Sequence, residues 1–588
     1  MWPRILAAKL ADRFCRTIGL YRLILSEPES TNTRTRQFPG LNPAGEVSHA
    51  YTERLVRGET LVFEKLHKVA DFDSISGNFT PFRKTGWAGF DPKDFWEVAR
   101  GWQWLPAYLG AKGEDEKCQV VERVLEWLDE HPYPNGLAWA VGLDVAIRAI
   151  NLLVISQFVP DEKLTRGLRA HAHYLRRMLW LSRNAIRNNH YLGELTAVAL
   201  LSAFLGDEDA ALWRLSLERE IQGQFFPDGV NVEQSIRYHK FSMEFVLLAR
   251  LFLGIEAPVL EKAGDFLVAA RRPDGTWPSI GDDDLGCVIR LHDEGPDGDY
   301  RSMLAILALL FDRGDFAQAA GRLYPETELL IPDAAEKWAQ LGKPGEQRRF
   351  LFPDGGFFAL KTGTSSKDST FLVKFGPHKW HAHADLFHVE LTLKGIPVLA
   401  DSGTYRYNGV PGERRYFRGT AAHNTLSFNG ADQTCQLSTF RWIRPAGVES
   451  WDFREEEQDV SFTGTHNGYA RFGVLHRREI RLDRNLGALK CRDCLEGKGS
   501  GPVAVNWHFQ PGLELRRLDS STFEILREEA RLATLEFNAD GENTQAGLEK
   551  KPFSSHYGEL QEMTVLTLST SKRRGKNLAV ETNFKVFA

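Results

Sequence analysis

The stretch LGKPGEQRRFLFPDGGFFALKT, residues 341–362, divides the chain into two regions of different periodicity. Gly342, Pro344, Gly345 and the charged residues after them present no apolar face and read as a connection. Upstream, from about Pro92 to about Gly342, apolar residues recur at helical spacing. DFWEVARGWQWLPAYLG (94–110) puts Phe95, Val98, Trp102 and Leu105 on one face, and CQVVERVLEWLDEH (118–131) repeats the pattern with Val120, Val124 and Leu128. GLAWAVGLDVAIRAINLLVISQF (136–158) is apolar on almost every side, as an inner helix of a layered array is. The pattern predicts further helices around 163–187, 191–205, 208–223, 236–254, 258–271, 301–312 and 315–340, packed as hairpins in an arc or ring.

Downstream the period becomes two. GFFALKT, TFLVKFG, FHVELTLKG, IPVLAD, NTLSFNG, VSFTGTH, HRREIRLD, PVAVNWHFQ and STFEILR are short, alternating, and separated by Gly, Asp and Asn. That is the pattern of a large antiparallel β-sandwich. The expected organisation is an N-terminal helical or irregular segment (1–90) packing on a helical domain (91–345), followed by the sandwich (346–588).

With 588 residues the chain is long enough for two or more cores. A formal net charge of −5 gives no general attraction to nucleic acid, so an anionic ligand requires a local basic patch. Six irregularly spaced cysteines do not form a disulfide framework. Cys491 and Cys494 form a lone CxxC inside ALKCRDCLEG, whose alternation reads as a strand. MWPRILAAKLADRFCRTIGLYRLIL (1–25) is interrupted by Lys9, Asp12, Arg13 and Arg16, which suits an amphipathic helix better than a secretion signal. No later apolar run approaches the ~20 residues of a membrane span. A cytoplasmic location is expected, with the periplasm as the alternative.

Chemistry-bearing residues gather in three places. In RNAIRNNHYLGEL, Asn188, Asn189 and His190 precede a helix, with Arg183 and Arg187 upstream. One Asn suffices for a cap, whereas this set also suits an anion at a helix N-terminus. In FPDGVNVEQSIRYHKFSMEF, Tyr238 shares a helix face with Phe241 and Phe245, a core position, but stands beside Arg237, His239 and Lys240. Neighbouring cations favour the phenolate a proton carrier needs. The third cluster runs from HAHADLFHVEL to the second half of VLADSGTYRYNGVPGERRYFRGTAAHNTLSF, with His381, His383, Asp401, Tyr405, Tyr407, Tyr416 and His423, and Arg414, Arg415 and Arg418 as a candidate anion-binding rim. Two imidazoles and a carboxylate there are the ligand types of a zinc-type site. The triple aspartate of SIGDDDLG (Asp282, Asp283, Asp284) lacks the spaced oxygens of a calcium loop and reads as a solvated turn.

Amides and arginines to grip a carboxylate, a histidine to take a proton and a tyrosine to give or take one suit β-elimination in a uronate polysaccharide. The C5 proton is weakly acidic, so the carboxylate must be neutralised before a base removes that proton and an acid protonates O4. The motifs NNHYLGE, DGVNVEQSIRYH, HAHADLFHVEL, ADSGTYRY and RRYFRGTAAHNTL, in this order over residues 90–500, resemble those of the heparinase II/III family, which includes heparinase III-type and related alginate lyases. The resemblance implies an incomplete (α/α) toroid followed by an antiparallel β-sandwich. It places carboxylate neutralisation on Asn189 and His190, proton transfer on Tyr238 and His381, and a structural divalent metal, of zinc type, on His383, Asp401 and His423, with no organic cofactor.

Expected substrate-binding residues are Arg187, Arg237, His239, Tyr407, Arg414, Tyr416 and Arg418; Tyr407 and Tyr416 both qualify as the second tyrosine that several relatives use. The expected partner is an acidic polysaccharide, possessed by the organism itself if the chain belongs to a subgroup that makes exported polymers; monomer and homodimer both remain open. The competing readings are a glycoside hydrolase, for which Glu194, Glu233 and Asp228 are the nearby carboxyls, and a non-catalytic glycan-binding protein.

Overall fold

The computed structural model describes residues 91–587 apart from 293–298, 346 and 542–543, together with residues 7, 11, 35–38, 41–43, 46–62 and 65–68. The amphipathic helix expected over residues 1–25 lies almost wholly outside the described residues. No helix among the described residues is long and apolar enough to cross a membrane.

Helices fill the region from Pro92 to Gln340 and form an incomplete (α/α) toroid. The centre of the array is Asn189–Leu205, apolar all round and buried along almost its whole length. It packs on Gly142–Ser156, Glu162–Ala185, Ala210–Ile221 and Ile236–Leu253. Gly193 permits this crowding: a Cβ there would lie 2.6 Å from Leu143 Cδ1 and 2.7 Å from Phe245 Cζ. Two expected helices are broken. Residues 94–110 split into Pro92–Ala99 and Trp104–Leu109 around Gly101, whose φ of 63° ends the first piece. The span 315–340 becomes Gly314–Ala320, Pro325–Leu330 and Ala334–Gln340, because Gly321, Pro325 and Pro332 interrupt the helical hydrogen bonds.

From Arg349 the chain forms two antiparallel sheets, of nine and eight strands, packed face to face. The nine-stranded sheet contains Phe357–Lys361, Thr370–Lys374, Val389–Leu393, Ile396–Leu399, Gly501–Phe509 and Gln561–Lys572; the other contains Asp459–His466, Val474–Asp483, Ala488–Gly497 and Leu578–Val586. Phe358, Phe371, Val373, Ile480, Leu482, Trp507 and Phe584 meet between them. Cys491 faces this core, whereas Cys494, three residues along the same strand, is only half-buried; the opposite facing of odd-spaced strand residues separates the CxxC pair.

The inward face of Val474–Asp483 also carries His476 and Arg478, both fully buried. Asp493 on the adjacent strand accepts from Arg478 Nε at 2.7 Å and Nη2 at 2.8 Å, and from His476 at 2.7 Å. Arg478 Nη1 in turn donates to the carbonyls of Phe387 and Asn424, fixing two loops that lead to the site. The Arg478 guanidinium and the hydrogen bond from His476 hold the Asp493 carboxyl down at about 2 against its burial. A depressed carboxyl contributes stability that is present above the unfolded value near 4 and is lost as pH falls through about 2. Acid denaturation of the wild type is therefore expected to consume about 2 kcal/mol between those values that Asp493→Asn, already destabilised at neutral pH, no longer has to lose; parallel acid-unfolding curves for the two proteins would contradict this.

Candidate active site

The candidate residues converge where three loops of the two domains cross. Residues 233–236 enter the helix Ile236–Leu253, residues 280–284 lie on a buried strap between two toroid helices, and residues 378–388 precede the strand Val389–Leu393. The backbone stitches them together: His381 N donates to Glu233 O, Asp282 N to His381 O, and Ile236 N to Ile280 O. Gly281, with φ of 75°, sits at the crossing; a Cβ would lie 2.8 Å from Gln234 O and 2.9 Å from His381 O.

Asp282 organises the site. Its carboxylate receives Arg414 in bidentate fashion (2.6 and 2.8 Å), His381 Nδ1 at 2.8 Å and His383 Nε2 at 3.0 Å. Arg414 and the two imidazoles overcome its burial and hold the carboxyl well below its usual range. The triple aspartate is thus no solvated turn. Asp282, Asp283 and Asp284 are all buried, and each pairs with a cation from a different element: Arg414, Arg237 (2.8 Å) and Lys93 (2.8 Å). Because an ionised carboxylate can only accept, the Asp282-facing nitrogens of His381 and His383 carry hydrogen. His381 Nε2 lies 3.5 Å from Glu233 Oε2, and His383 Nδ1 has no hydrogen-bond partner among the described residues. The stretch holding both histidines is irregular, which allows two rings two residues apart to reach opposite oxygens of one carboxylate.

Tyr238 enters from the first turn of its helix, where Ser235 caps the Tyr238 N–H. Its ring stacks on His381 with centroids 3.8 Å apart and planes 7° apart. Its hydroxyl meets the Tyr407 hydroxyl at 2.8 Å. Tyr407 is the second tyrosine of the cluster; the Tyr416 hydroxyl is buried away from this pair, beside Ser402 and Asp401. Tyr407 is held by Tyr557, whose hydroxyl accepts the Tyr407 N–H and donates to Asp91, the cap of helix Pro92–Ala99. Burial raises both phenols well above 10, so both are protonated at neutral pH. Phe440, 43% exposed, packs edge-on to Tyr407 and His381 and forms a rim that the sequence reading did not single out.

The Asn188–His190 turn closes the other side. Asn188 caps the following helix through His190 N–H, and both Asn188 and Asn189 donate to Glu233, at 3.1 and 2.8 Å. Asn189 keeps one amide N–H and a buried Oδ1 that has no partner among the described residues. His190 is half-buried; burial, with His381, Arg100 and Lys93 nearby, lowers it to about 3, so it is neutral in the working range.

Four expected substrate contacts are committed elsewhere. His239 is buried, with Nδ1 accepting from Asn231 N and Nε2 facing Ala263 O. Arg237 is held by Asp283 and lies over Tyr300; Arg418 is buried against Trp442 and donates to Ser438 O. Arg414 is buried on Asp282, so the arginine cluster serves as internal counter-charge, and only Arg415 of the three at 414–418 is exposed. Arg187 is exposed but is bonded to Glu220 at 2.6–3.2 Å.

Beside the site, His383, Asp401 and His423 bring one ligand atom each within 4.8 Å of one another. His423 Nδ1 donates to Asp401 at 2.8 Å, while His383 Nδ1 and His423 Nε2 are buried without a hydrogen-bond partner among the described residues. Two orphaned lone-pair nitrogens next to a carboxylate fit a divalent cation of borderline softness. His388 and His378 are structural: the first bridges Glu390 and Asn424 N, the second packs edge-on to Trp442.

Residues 344–581 match the family model of the heparinase II/III-like C-terminal region, and residues 158–275, which carry Asn189 and Tyr238, match that of alginate lyase. A heparin-sulfate lyase of Bacteroides stercoris is 26% identical over 346 residues, covering 55% of this chain and 46% of that protein, so the match spans about half the relative's length. Among solved structures, a heparinase III superposes with a TM-score of 0.68 at 14% identity, covering 99% of this chain and 91% of that one. The heparan sulfate lyase HepC from Pedobacter heparinus, in a mutant form, gives 0.60 at 18% identity, covering 99% and 88%. Toroid, sandwich and the ordered motifs agree with these likenesses: the fold is that of the heparinase III structures, and residues 344–581 form a heparinase II/III-like C-terminal region.

Proposed function

We propose that this chain is a polysaccharide lyase that cleaves a uronate-containing acidic polysaccharide by β-elimination. The observation that carries the reading is the stack of Tyr238 on His381, with the imidazole oriented by Asp282 and the phenol paired with Tyr407. Elimination needs a base and an acid on one sugar ring, and this geometry presents a lone-pair imidazole nitrogen and a protonated phenol side by side. His381 Nε2 takes the C5 proton; Asp282 fixes the tautomer and stabilises the imidazolium that forms. Tyr238, protonated because burial disfavours its phenolate, gives its proton to the departing O4, and Tyr407 holds that hydroxyl in place. The remaining N–H of Asn189, with neutral His190, hydrogen-bonds the uronate carboxylate and stabilises the enolate-like charge. The matched relatives are named for lyases of heparin sulfate and alginate, both uronate polymers, which supports this substrate class.

A hydrolase needs two carboxyls facing each other across the scissile bond. Glu233 is engaged by two asparagines, Glu194 is buried against Ser182 and raised to about 8, and Asp228 accepts the backbone N–H groups of Asp354 and Gly355. The carboxyls available therefore favour elimination.

His383, Asp401 and His423 would hold a divalent metal, of zinc type, which would brace the loop bearing His381. His383 faces Asp282 through its other nitrogen, so this brace bears directly on the base. A cytoplasmic or periplasmic working location and a role in handling the organism's own polymer both accord with this chemistry.

Incubation with heparan sulfate, alginate and other uronate polymers should generate the ultraviolet absorbance of a C4=C5 double bond; depolymerisation without that chromophore contradicts elimination. Tyr238→Phe should fold normally and lose at least about 10²-fold in kcat; a rate near wild type removes Tyr238 from the mechanism. Asp282→Asn should reduce kcat/KM by about 10²-fold or more through loss of the correct His381 tautomer, with Arg414 left uncompensated and the thermal midpoint lowered; full activity would show that the carboxylate does not orient the base. Purified protein should contain one equivalent of metal, and His423→Ala should lose both the metal and several degrees of Tm; protein purified without metal, with His423→Ala as stable as the wild type, contradicts the brace.

A further inference from the structure

Beside the Asn188–His190 turn opens a cavity of about 1090 Å³ that the chemistry above leaves unused. Its walls come from the end of helix Glu162–Ala185, from Tyr191 at the start of the next helix, and from helix Ala210–Ile221. Its edge toward the proton-transfer residues is Trp380, the residue before His381. Arg187 and Tyr191, which flank the Asn–Asn–His turn, line its other edge. The cavity is therefore continuous along the chain with both sides of the candidate active site.

Its lining combines two features. Trp180, Trp213 and Trp380 are all half-buried, so each keeps ring surface open to the cavity. Arg176, Arg183, Arg187 and Arg219 line it against a single carboxylate, Glu220, in a protein whose formal net charge is −5. Arg176 is tied to Asp207 and Asp209, and Arg187 to Glu220. Arg183 and Arg219 are exposed and enter no ion pair among the described residues. Indole faces offer flat apolar area for the C–H faces of sugar rings, and free guanidinium groups take carboxylate or sulfate through paired N–H bonds. The volume exceeds the ~300–1,000 Å³ of ordinary small-molecule sites, which gives room for more than one sugar unit.

We infer that this groove is an extended subsite that binds several units of an anionic glycan beyond the unit undergoing elimination, with Trp180, Trp213 and Trp380 as stacking platforms and Arg183 and Arg219 as the anion contacts. The inference rests on the lyase reading for the position of the reacting unit, but its binding prediction stands separately. It also assigns the cleavage reaction a preference for long chains, because short ones leave the groove empty.

The test uses the full chain with Tyr238→Phe, to stop turnover, and titrates it with octasaccharides and tetrasaccharides of heparan sulfate and of alginate, read by tryptophan fluorescence and calorimetry. At least one octasaccharide should change the tryptophan emission. Adding Arg183→Ala and Arg219→Ala should weaken its binding about tenfold and flatten its salt dependence, with a smaller effect on the matching tetrasaccharide. Preference for the heparan sulfate series assigns the arginines to sulfate, and equal binding of alginate assigns them to carboxylate. Octasaccharide affinity unchanged by the double substitution, or no binding of any probe, overturns the subsite. Elimination by the wild type together with groove-insensitive binding removes the subsite and keeps the lyase; groove-dependent binding without any unsaturated product does the reverse.

Discussion

One carboxylate holds the two domains in working register. Asp282 lies on an irregular strap of the toroid, and every group that reaches it from the sandwich side bears on the proposed chemistry: His381, His383 and Arg414. A buried carboxylate is costly to desolvate, and it persists only where cations and N–H donors surround it. Here the guanidinium neutralises it, and the imidazoles complete its hydrogen bonding. Two rings are thereby fixed in defined tautomers, one facing the phenol pair and the other facing Asp401 and His423. Removing either side strands the other's charge, so the site and the domain junction stand or fall together.

The same logic explains why the interior of this junction is so highly charged. Asp283 with Arg237, Asp284 with Lys93, and Glu97 and Asp144 with Arg100 form further buried pairs around the strap. Such pairs contribute little net stability compared with apolar packing, but they select one arrangement, because any slip leaves a charge unpaired. In the proposed elimination a base and an acid meet one sugar ring, and they benefit from that selectivity more than from additional apolar burial.

Much of this was legible in the residues. The change from helical to alternating spacing near Phe352 located the junction of toroid and sandwich, since each period reflects a face that must be buried. The order of the asparagine, tyrosine and histidine motifs indicated which residues to bring together. What could not be read was direction. Arg237, His239, Arg414 and Arg418 looked like substrate contacts by type, yet each points inward to a partner distant in sequence. Asp282–Asp284 looked like a solvated turn because its three counter-cations lie on three separate elements, at Lys93, Arg237 and Arg414. The groove tryptophans escaped notice for a related reason: Trp180, Trp213 and Trp380 form a surface only once two helices and a loop are brought together. The choice between Tyr407 and Tyr416 likewise depended on one hydroxyl–hydroxyl distance.

The account depends on His381 carrying its hydrogen on Nδ1, toward Asp282, and none on Nε2, which lies 3.5 Å from Glu233 Oε2. Nitrogen NMR of histidine-labelled protein, assigned through a His381→Gln variant, reports that tautomer directly. The account predicts the ring hydrogen on Nδ1, with the signal altered in Asp282→Asn. A His381 ring protonated at Nε2, in a protein that retains its fold, would contradict it.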